Sequence, residues 1–311
     1  MNSPAKIDSV NVDCTKVDCT VPFQELVVQY EDIGPIKLAY RITGAVEDIV
    51  DNKRPLMLFI HGWPLNSLTY ENIINRLSGE LTCIAVDLPG LGKTNWHNQV
   101  DLSPKGQAEL LLEFMTKQSI ERYTIYGNDS GGMIARYLAE LDKERVTHLI
   151  LSNTEIPGER PPWVPLFKKC MNLPGFLPVM RRLLAKKYFV RSPMALGGVF
   201  YDKALLGGQF DRDFIQPLVE SRSSFRNAMS SFLEVFNWIQ LDELALIHPE
   251  LSMPTLFIWG KDDPTFPEKA ARKMVSQLPL VAEFHSISQA KLFVHQEKSE
   301  EVSHFIRGFI K

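Results

Sequence analysis

Five short apolar runs, separated by segments of helical length, decide what this chain can fold into. "PLMLFIHG", "LTCIAVDLPG", "YTIYGN", "THLILSNTE" and "TLFIWG" stay largely apolar on successive residues instead of alternating with polar ones. A strand that is apolar on both sides is buried on both sides, as in a parallel sheet covered by helices. The intervening segments supply those helices: about Leu68 to Leu77, "LSPKGQAELLLEFMTKQ" with Ser103 as N-cap and Pro104 at the first position, and "GGMIARYLAELDKE". "ELVVQYEDI" and "IKLAYRIT", joined through Gly34-Pro35, add an antiparallel hairpin at the start. The fold class is therefore α/β, a mostly parallel central sheet flanked by helices, with catalytic loops at the carboxyl ends of its strands.

The alternation stops at Ile156 and resumes after Leu251, ending in the helical "EKSEEVSHFIRGFI". The interruption is rich in proline (Pro157, Pro161, Pro162, Pro165, Pro174, Pro178) and in short helical pieces. It reads as a helical cap, residues 156–251, inserted after the sixth strand and roofing a buried pocket. The expected division is an N-terminal tail at 1–22, a core at 23–155 and 252–311, and that cap.

Composition excludes several classes. A chain of 311 residues, 45% hydrophobic and 23% charged with net charge −3, is globular, and it has no basic block for a nucleic-acid partner. Its apolar runs are of strand length, which speaks against membrane insertion, and the N-terminal stretch lacks the apolar segment of a secretory signal. Cys14, Cys19, Cys83 and Cys170 do not complete a zinc site and read as free thiols of a cytoplasmic protein. No metal ligand cluster and no dinucleotide fingerprint is present, so neither a metal nor an organic cofactor is expected. "GLGKT" imitates a phosphate-binding loop, but Asp87 stands where its first glycine is required. A homodimer is compatible with the sequence. The basic run "MRRLLAKKYFVR" reads as a solvated helix face.

The chemistry concentrates in "YGNDSGGM", residues 126–133, which admits two nucleophiles. Asp129 to Gly132 imitates the serine of a trypsin-like protease, with Ser130 attacking. A nucleophile on a strand-to-helix elbow needs small residues two positions before and after it. Asp129 has Gly127 and Gly131, whereas Ser130 has Asn128 and Gly132. The protease reading also requires a double β-barrel that this pattern does not supply. Asp129 is the predicted nucleophile, and a Ser130 esterase is the disfavoured reading.

With "HGWP" at 61–64, "DLPGLGKT" at 87–94 and the Asp129 elbow in this order, the chain resembles the α/β-hydrolase fold superfamily. Within it, the chain is similar to the branch of epoxide hydrolases and haloalkane dehalogenases, whose nucleophile is Asp. The resemblance runs from about residue 24 to 311, the cap excepted. It implies a cofactor-independent hydrolase that takes a small apolar electrophile, an epoxide or alkyl halide, onto Asp129 as an alkyl-enzyme ester. By the same resemblance the backbone N–H groups of Trp63 and Ser130 hold the oxyanion. Asp263 in "WGKDDPTFP" is the second carboxylate, with Asp262 a solvated neighbour and Glu155 an alternative acid better read as a loop charge. The branch places its catalytic His after the last strand, where this chain has Lys291-Leu292. His295 lies three residues further on, the same face if a helix has begun. Two readings stay open: His295 has taken over as base, or the base is absent and the protein binds a ligand or reacts without hydrolysis. His61, His97, His148, His248, His285 and His304 fit less well. The resemblance also asks for two cap tyrosines that protonate an epoxide, and Tyr188 and Tyr201 stand either there or as packing residues. Ser130 occupies the place where dehalogenases carry a halide-binding Trp, which weakens that assignment.

Overall fold

The structure, a computed structural model, describes residues 21–44, 54–96, 99–161 and 163–310, with the side chains of 281 and 282 excepted. Cys14, Cys19, His97, Pro162 and most of the expected tail lie outside the described residues.

Among the described residues the sheet has nine strands: β1 Gln29–Ile33, β2 Ile36–Ile42, β3 Leu56–Ile60, β4 Thr82–Asp87, β5 Asn95–Trp96, β6 Tyr123–Asn128, β7 Val146–Ser152, β8 Thr255–Gly260 and β9 Val281–Ile287. Their spatial order is β1-β2-β4-β3-β6-β7-β8-β9, with the two-residue β5 paired to β2. β1, β2 and β5 run antiparallel, and β3 is parallel to β4 and β6, as are all strands from β6 to β9. The expected hairpin is there, Ile33 facing Ile36 across a turn whose Gly34 adopts φ 54°. The ladder begins only at Gln29, because Phe23–Glu25 form a 3-10 turn and Leu26–Val28 stay outside it.

The helices are α1 Glu71–Leu77, α2 Pro104–Lys117, α3 Ser130–Leu141, α4 Trp163–Met171, α5 Phe176–Leu184, α6 Lys187–Val190, α7 Gln216–Val219, α8 Arg222–Val235, α9 Trp238–Ile247, α10 Glu268–Val275, α11 Val294–Glu297 and α12 Ser299–Phe309. The Ser103 hydroxyl caps α2 by accepting the Gly106 N–H at 3.2 Å. β3 shows why the parallel strands are apolar throughout: successive side chains point to opposite faces. Leu58 and Ile60 join the core shared with α2, α3 and α10, while Met57 and Phe59 join the second core under α1 and α12.

Among the described residues no strand falls between Ser152 and Thr255, so the helical insertion follows the sixth long strand, the seventh if β5 is counted. It touches the loops at the carboxyl ends of the sheet. Asn66 Nδ2 donates to Asp213 O at 2.8 Å, Lys291 Nζ to Gly198 O at 3.1 Å, and Phe200 packs on Phe293 with ring centroids 5.1 Å apart. Among the described residues no helix is long and apolar enough to cross a membrane.

Candidate active site

β6 ends at Asn128 and α3 begins at Ser130, leaving Asp129 alone to turn the chain at φ 52°, ψ −137°. For a residue with a Cβ this is a strained conformation that surrounding bonds must hold. Asp129 N–H donates to Asn153 O at 2.9 Å, and Asp129 O accepts from Gly132 N–H and Thr154 Oγ1, both at 2.8 Å. The glycines flanking the elbow are required by contact. A Cβ on Gly131 would sit 2.1 Å from Ile60 O, and one on Gly127 would sit 2.7 Å from Gly131 O.

The Asp129 carboxylate is buried and accepts the backbone N–H groups of Ser130 and Trp63. Burial pushes its pKa well above the usual carboxylate range, and the nearby Glu155 and Asp263 charges push the same way, against the pull of those amides. The Trp63 amide also lies 3.1 Å from Ser130 Oγ, and the Trp63 indole N–H donates to Ala228 O at 3.0 Å. Among the described residues no histidine pairs with Ser130 Oγ, so none of them serves the esterase reading as a base.

His61 is a structural residue of the "HGWP" loop. Its Nε2 accepts the Leu88 N–H at 2.9 Å, so the proton is on Nδ1, which faces Gly62 O at 3.1 Å. Asp87 fills the centre of "DLPGLGKT": its carboxylate accepts Ser67 N–H at 2.9 Å and Lys93 N–H at 2.8 Å. A side-chain carboxylate thus takes the loop amides that a phosphate would need. A cavity of about 350 Å³ lies beside this loop. Pro64 and Ala228 line it but Asp129 does not, so it adjoins the Trp63 wall of the site from outside.

Asp263 is buried and Asp262 exposed, the order expected from the sequence. Asp263 Oδ2 accepts Asn153 Nδ2 at 2.9 Å and Oδ1 accepts Thr265 N–H at 2.8 Å, yet burial still pushes its pKa up to about 6. Asn153, at φ 27°, also clamps β8, accepting Gly260 N–H at 2.7 Å.

The structure does not join His295 to either carboxylate. His295 Nε2 pairs with Thr69 Oγ1 at 2.7 Å, and Nδ1 has no hydrogen-bond partner among the described residues. The ring is fully buried, 4.9 Å from the Tyr70 ring, and burial pushes its pKa down to about 3. The physical reason lies in the chain path. α11 starts at Val294, so Leu292 and His295 are not on one helix and the three-residue spacing does not align them. Leu292 and Phe293 pack into the core facing the insertion, while Val294 packs into the core under α1 and α12. The Leu292 backbone is tied to Asn128, the residue before the nucleophile, whose Nδ2 donates to the Leu292 carbonyl at 2.9 Å.

The expected cap tyrosines are also displaced. Tyr188 is 73% and Tyr201 48% exposed, and neither hydroxyl has a hydrogen-bond partner among the described residues. Conversely, Glu155 is no loop charge: it is buried, Oε1 lacks a hydrogen-bond partner among the described residues, and Oε2 meets Thr154 Oγ1 at 2.9 Å. Arg136, which the sequence reading missed, is the cation facing it. It is fully buried and donates through Nη2 to Thr154 Oγ1 at 3.0 Å and Glu155 O at 2.8 Å. The only signal for it was an arginine inside the apolar "GGMIARYLAE".

Carboxyls crowded this way weaken the fold. A carboxyl whose pKa rises on folding costs stability above its unfolded pKa and costs nothing well below it. Asp129→Asn is therefore expected to melt about 2–4 °C higher at about pH 8, for a relief of roughly 1 kcal/mol. The gain should shrink as the pH falls and vanish below about 3, where both states are protonated. Thermal melts showing no gain at the higher pH would refute this balance.

Residues 55–298 match the alpha/beta hydrolase fold family. The chain is 24% identical over 285 residues to epoxide hydrolase 3 of Xenopus tropicalis, covering 84% of this chain and 72% of that protein. It is 24% identical over 265 residues to haloalkane dehalogenase 2 of Mycobacterium bovis, covering 84% and 89%. Among solved structures, ligand-free epoxide hydrolase CorEH superposes with a TM-score of 0.74 at 19% identity over 92% of this chain and 98% of that one. A putative lipase from Acinetobacter baumannii reaches 0.77 at 19% identity over 93% and 92%. The family match spans most of the chain, and with the strand order and the elbow at Asp129 it makes this protein a member of the α/β-hydrolase fold family.

Proposed function

We propose that the protein takes a small apolar electrophile onto Asp129 as an alkyl-enzyme ester and that the ester persists, because no imidazole among the described residues is paired with either the Asp129 or the Asp263 carboxylate. The observation that carries this reading is the Asp129 carboxylate itself, poised on the elbow and accepting the Trp63 and Ser130 amides. An Asp129 oxygen attacks carbon, the bond to the leaving group breaks, and the leaving group departs with its electron pair. The two amides hold the other carboxylate oxygen in place. An epoxide would need a proton donor as its ring opens, and the exposure of Tyr188 and Tyr201 removes the expected ones. A leaving group that departs as an anion is favoured. The insertion at 156–251 acts as the cap, with Trp63 and Phe232, ring centroids 4.9 Å apart, as apolar walls.

Hydrolysis of the ester needs a base. His295 is paired with Thr69 and kept neutral by burial, an arrangement that favours the reading without a working base. Intact-mass measurement after exposure to a panel of alkyl halides and epoxides is the test. A lasting adduct at Asp129, absent in Asp129→Asn, is expected. Its formation should speed up as the pH rises, because the raised Asp129 carboxyl must ionise to attack. Turnover that leaves no adduct and is lost in His295→Ala would reinstate His295 as the base and sink this reading.

A further inference from the structure

Between Pro161 and Tyr201 the chain carries seven Lys and Arg residues and not one Asp or Glu, although its net charge is −3. The same stretch exposes large apolar side chains. Trp163 is 41% exposed, Leu166 64%, Leu173 59%, Val179 52%, Tyr188 73% and Met194 87%. α5 contains no buried residue. Helical spacing gathers these groups: Trp163, Leu166 and Lys169 recur every three residues on the exposed side of α4, and Val179 and Arg182 do so on α5. Phe167 of α4 packs edge-on against Phe176 of α5, ring centroids 5.5 Å apart, which ties the two helices together.

Four of the cations are already engaged. Lys168 Nζ donates to Phe236 O, Arg181 Nη1 to Val219 O and Arg191 Nε to Leu206 O, each at 2.6 Å, and Lys187 lies 3.7 Å from Asp211. Lys169, Arg182 and Lys186 are exposed and, among the described residues, make no hydrogen bond or ion pair.

A merely solvated helix face would not present so many large apolar tips, and a nucleic-acid face has no use for Leu, Val and Met between its cations. Cations interleaved with apolar side chains match an anionic bilayer surface. Its headgroups pair with the cations, and the apolar tips enter the boundary of the acyl chains. We infer that the exposed face of α4 to α6 docks on membranes containing anionic phospholipid, lying on the surface without spanning it. Its inner side leads to the elbow. Trp163 packs 6.3 Å from Phe232, which packs 4.9 Å from Trp63, whose amide bonds Asp129. An apolar substrate dissolved in the bilayer would meet an aromatic wall reaching from the docked face to the nucleophile. That route rests on the proposed reaction, whereas the docking does not.

The test is co-sedimentation of the full-length protein with phosphatidylcholine vesicles, with and without phosphatidylserine. Binding to the anionic vesicles is expected to be at least about tenfold tighter and to weaken as salt is added. Lys169→Gln, Arg182→Gln and Lys186→Gln together should lower it about 100-fold, roughly fivefold per cation. Leu166→Ser with Val179→Ser keeps every charge and should still lower it about tenfold. Equal binding to both vesicle types overturns the proposal, as does unchanged binding by both variants with native circular dichroism. Binding to heparin or duplex DNA as tight as to anionic vesicles, and indifferent to Leu166 and Val179, would assign the face to a polyanion and also overturn it. Vesicle binding requires no turnover, so it is decided independently of alkylation at Asp129.

Discussion

Leu292→His is expected to turn a persistent Asp129 ester into one that hydrolyses, speeding its loss about 10²–10⁴-fold, the usual contribution of a positioned general base. The backbone at this position is already fixed to Asn128, the residue before the nucleophile, because the Leu292 carbonyl accepts Asn128 Nδ2 at 2.9 Å. The Leu292 side chain is 4% exposed, so an imidazole placed there would be shielded from water and would need an acceptor for its N–H. Asp263 supplies a buried carboxyl, with its pKa at about 6, that is ionised at neutral pH. Neutral imidazole could then take a proton from the attacking water while Asp263 steadies the resulting cation. The measurement is the decay of adduct mass after excess electrophile is removed, with Leu292→Asn as a control of polar character that lacks a base. If the ester in Leu292→His lasts as long as in the parent, a missing imidazole is not what stalls the second step. Faster decay in both variants would point instead to water let in by a loosened core.

Gly131→Ala is expected to lower folding stability by about 3 kcal/mol or more, beyond the ordinary range for an added methyl in a packed core. The new Cβ would sit 2.1 Å from Ile60 O and 2.6 Å from His61 O, both backbone atoms that no rotamer change can move. Relief requires α3 to back away from β3, and that shift would also pull the Ser130 amide off the Asp129 carboxylate. Gly308 in α12 makes the contrast. Nothing lies within 4 Å of a Cβ there, so Gly308→Ala should be neutral or raise stability by up to ~1 kcal/mol through helix propensity. Denaturant midpoints of the two variants check this pair. A Gly131→Ala protein as stable as the parent would mean that the elbow is looser than its contacts imply.

The sequence by itself determined the sheet, the elbow and the identity of the buried acid after β8. Those features are written in short-range patterns: two-sided apolar runs such as Leu56–Ile60, glycines two positions either side of Asp129, and the spacing from Gly260 to Asp263. The fate of the polar groups was decided only by the tertiary structure. His295 stood at a plausible distance from Leu292, but a loop that turns through Gln289 at φ 55° delays α11 to Val294 and sends the imidazole to Thr69. Glu155 looked like a loop charge until the path of the chain after β7 buried it beside Asp129, with Arg136 brought up from α3. Tyr188 and Tyr201 were the only tyrosines the insertion offered, and the packing of its helices left both on the outside. Periodicity records which face of an element is apolar, and it acts over a few residues. Whether a charged or hydrogen-bonding group is buried, and against what, depends on segments far away in the chain, and no local pattern records that.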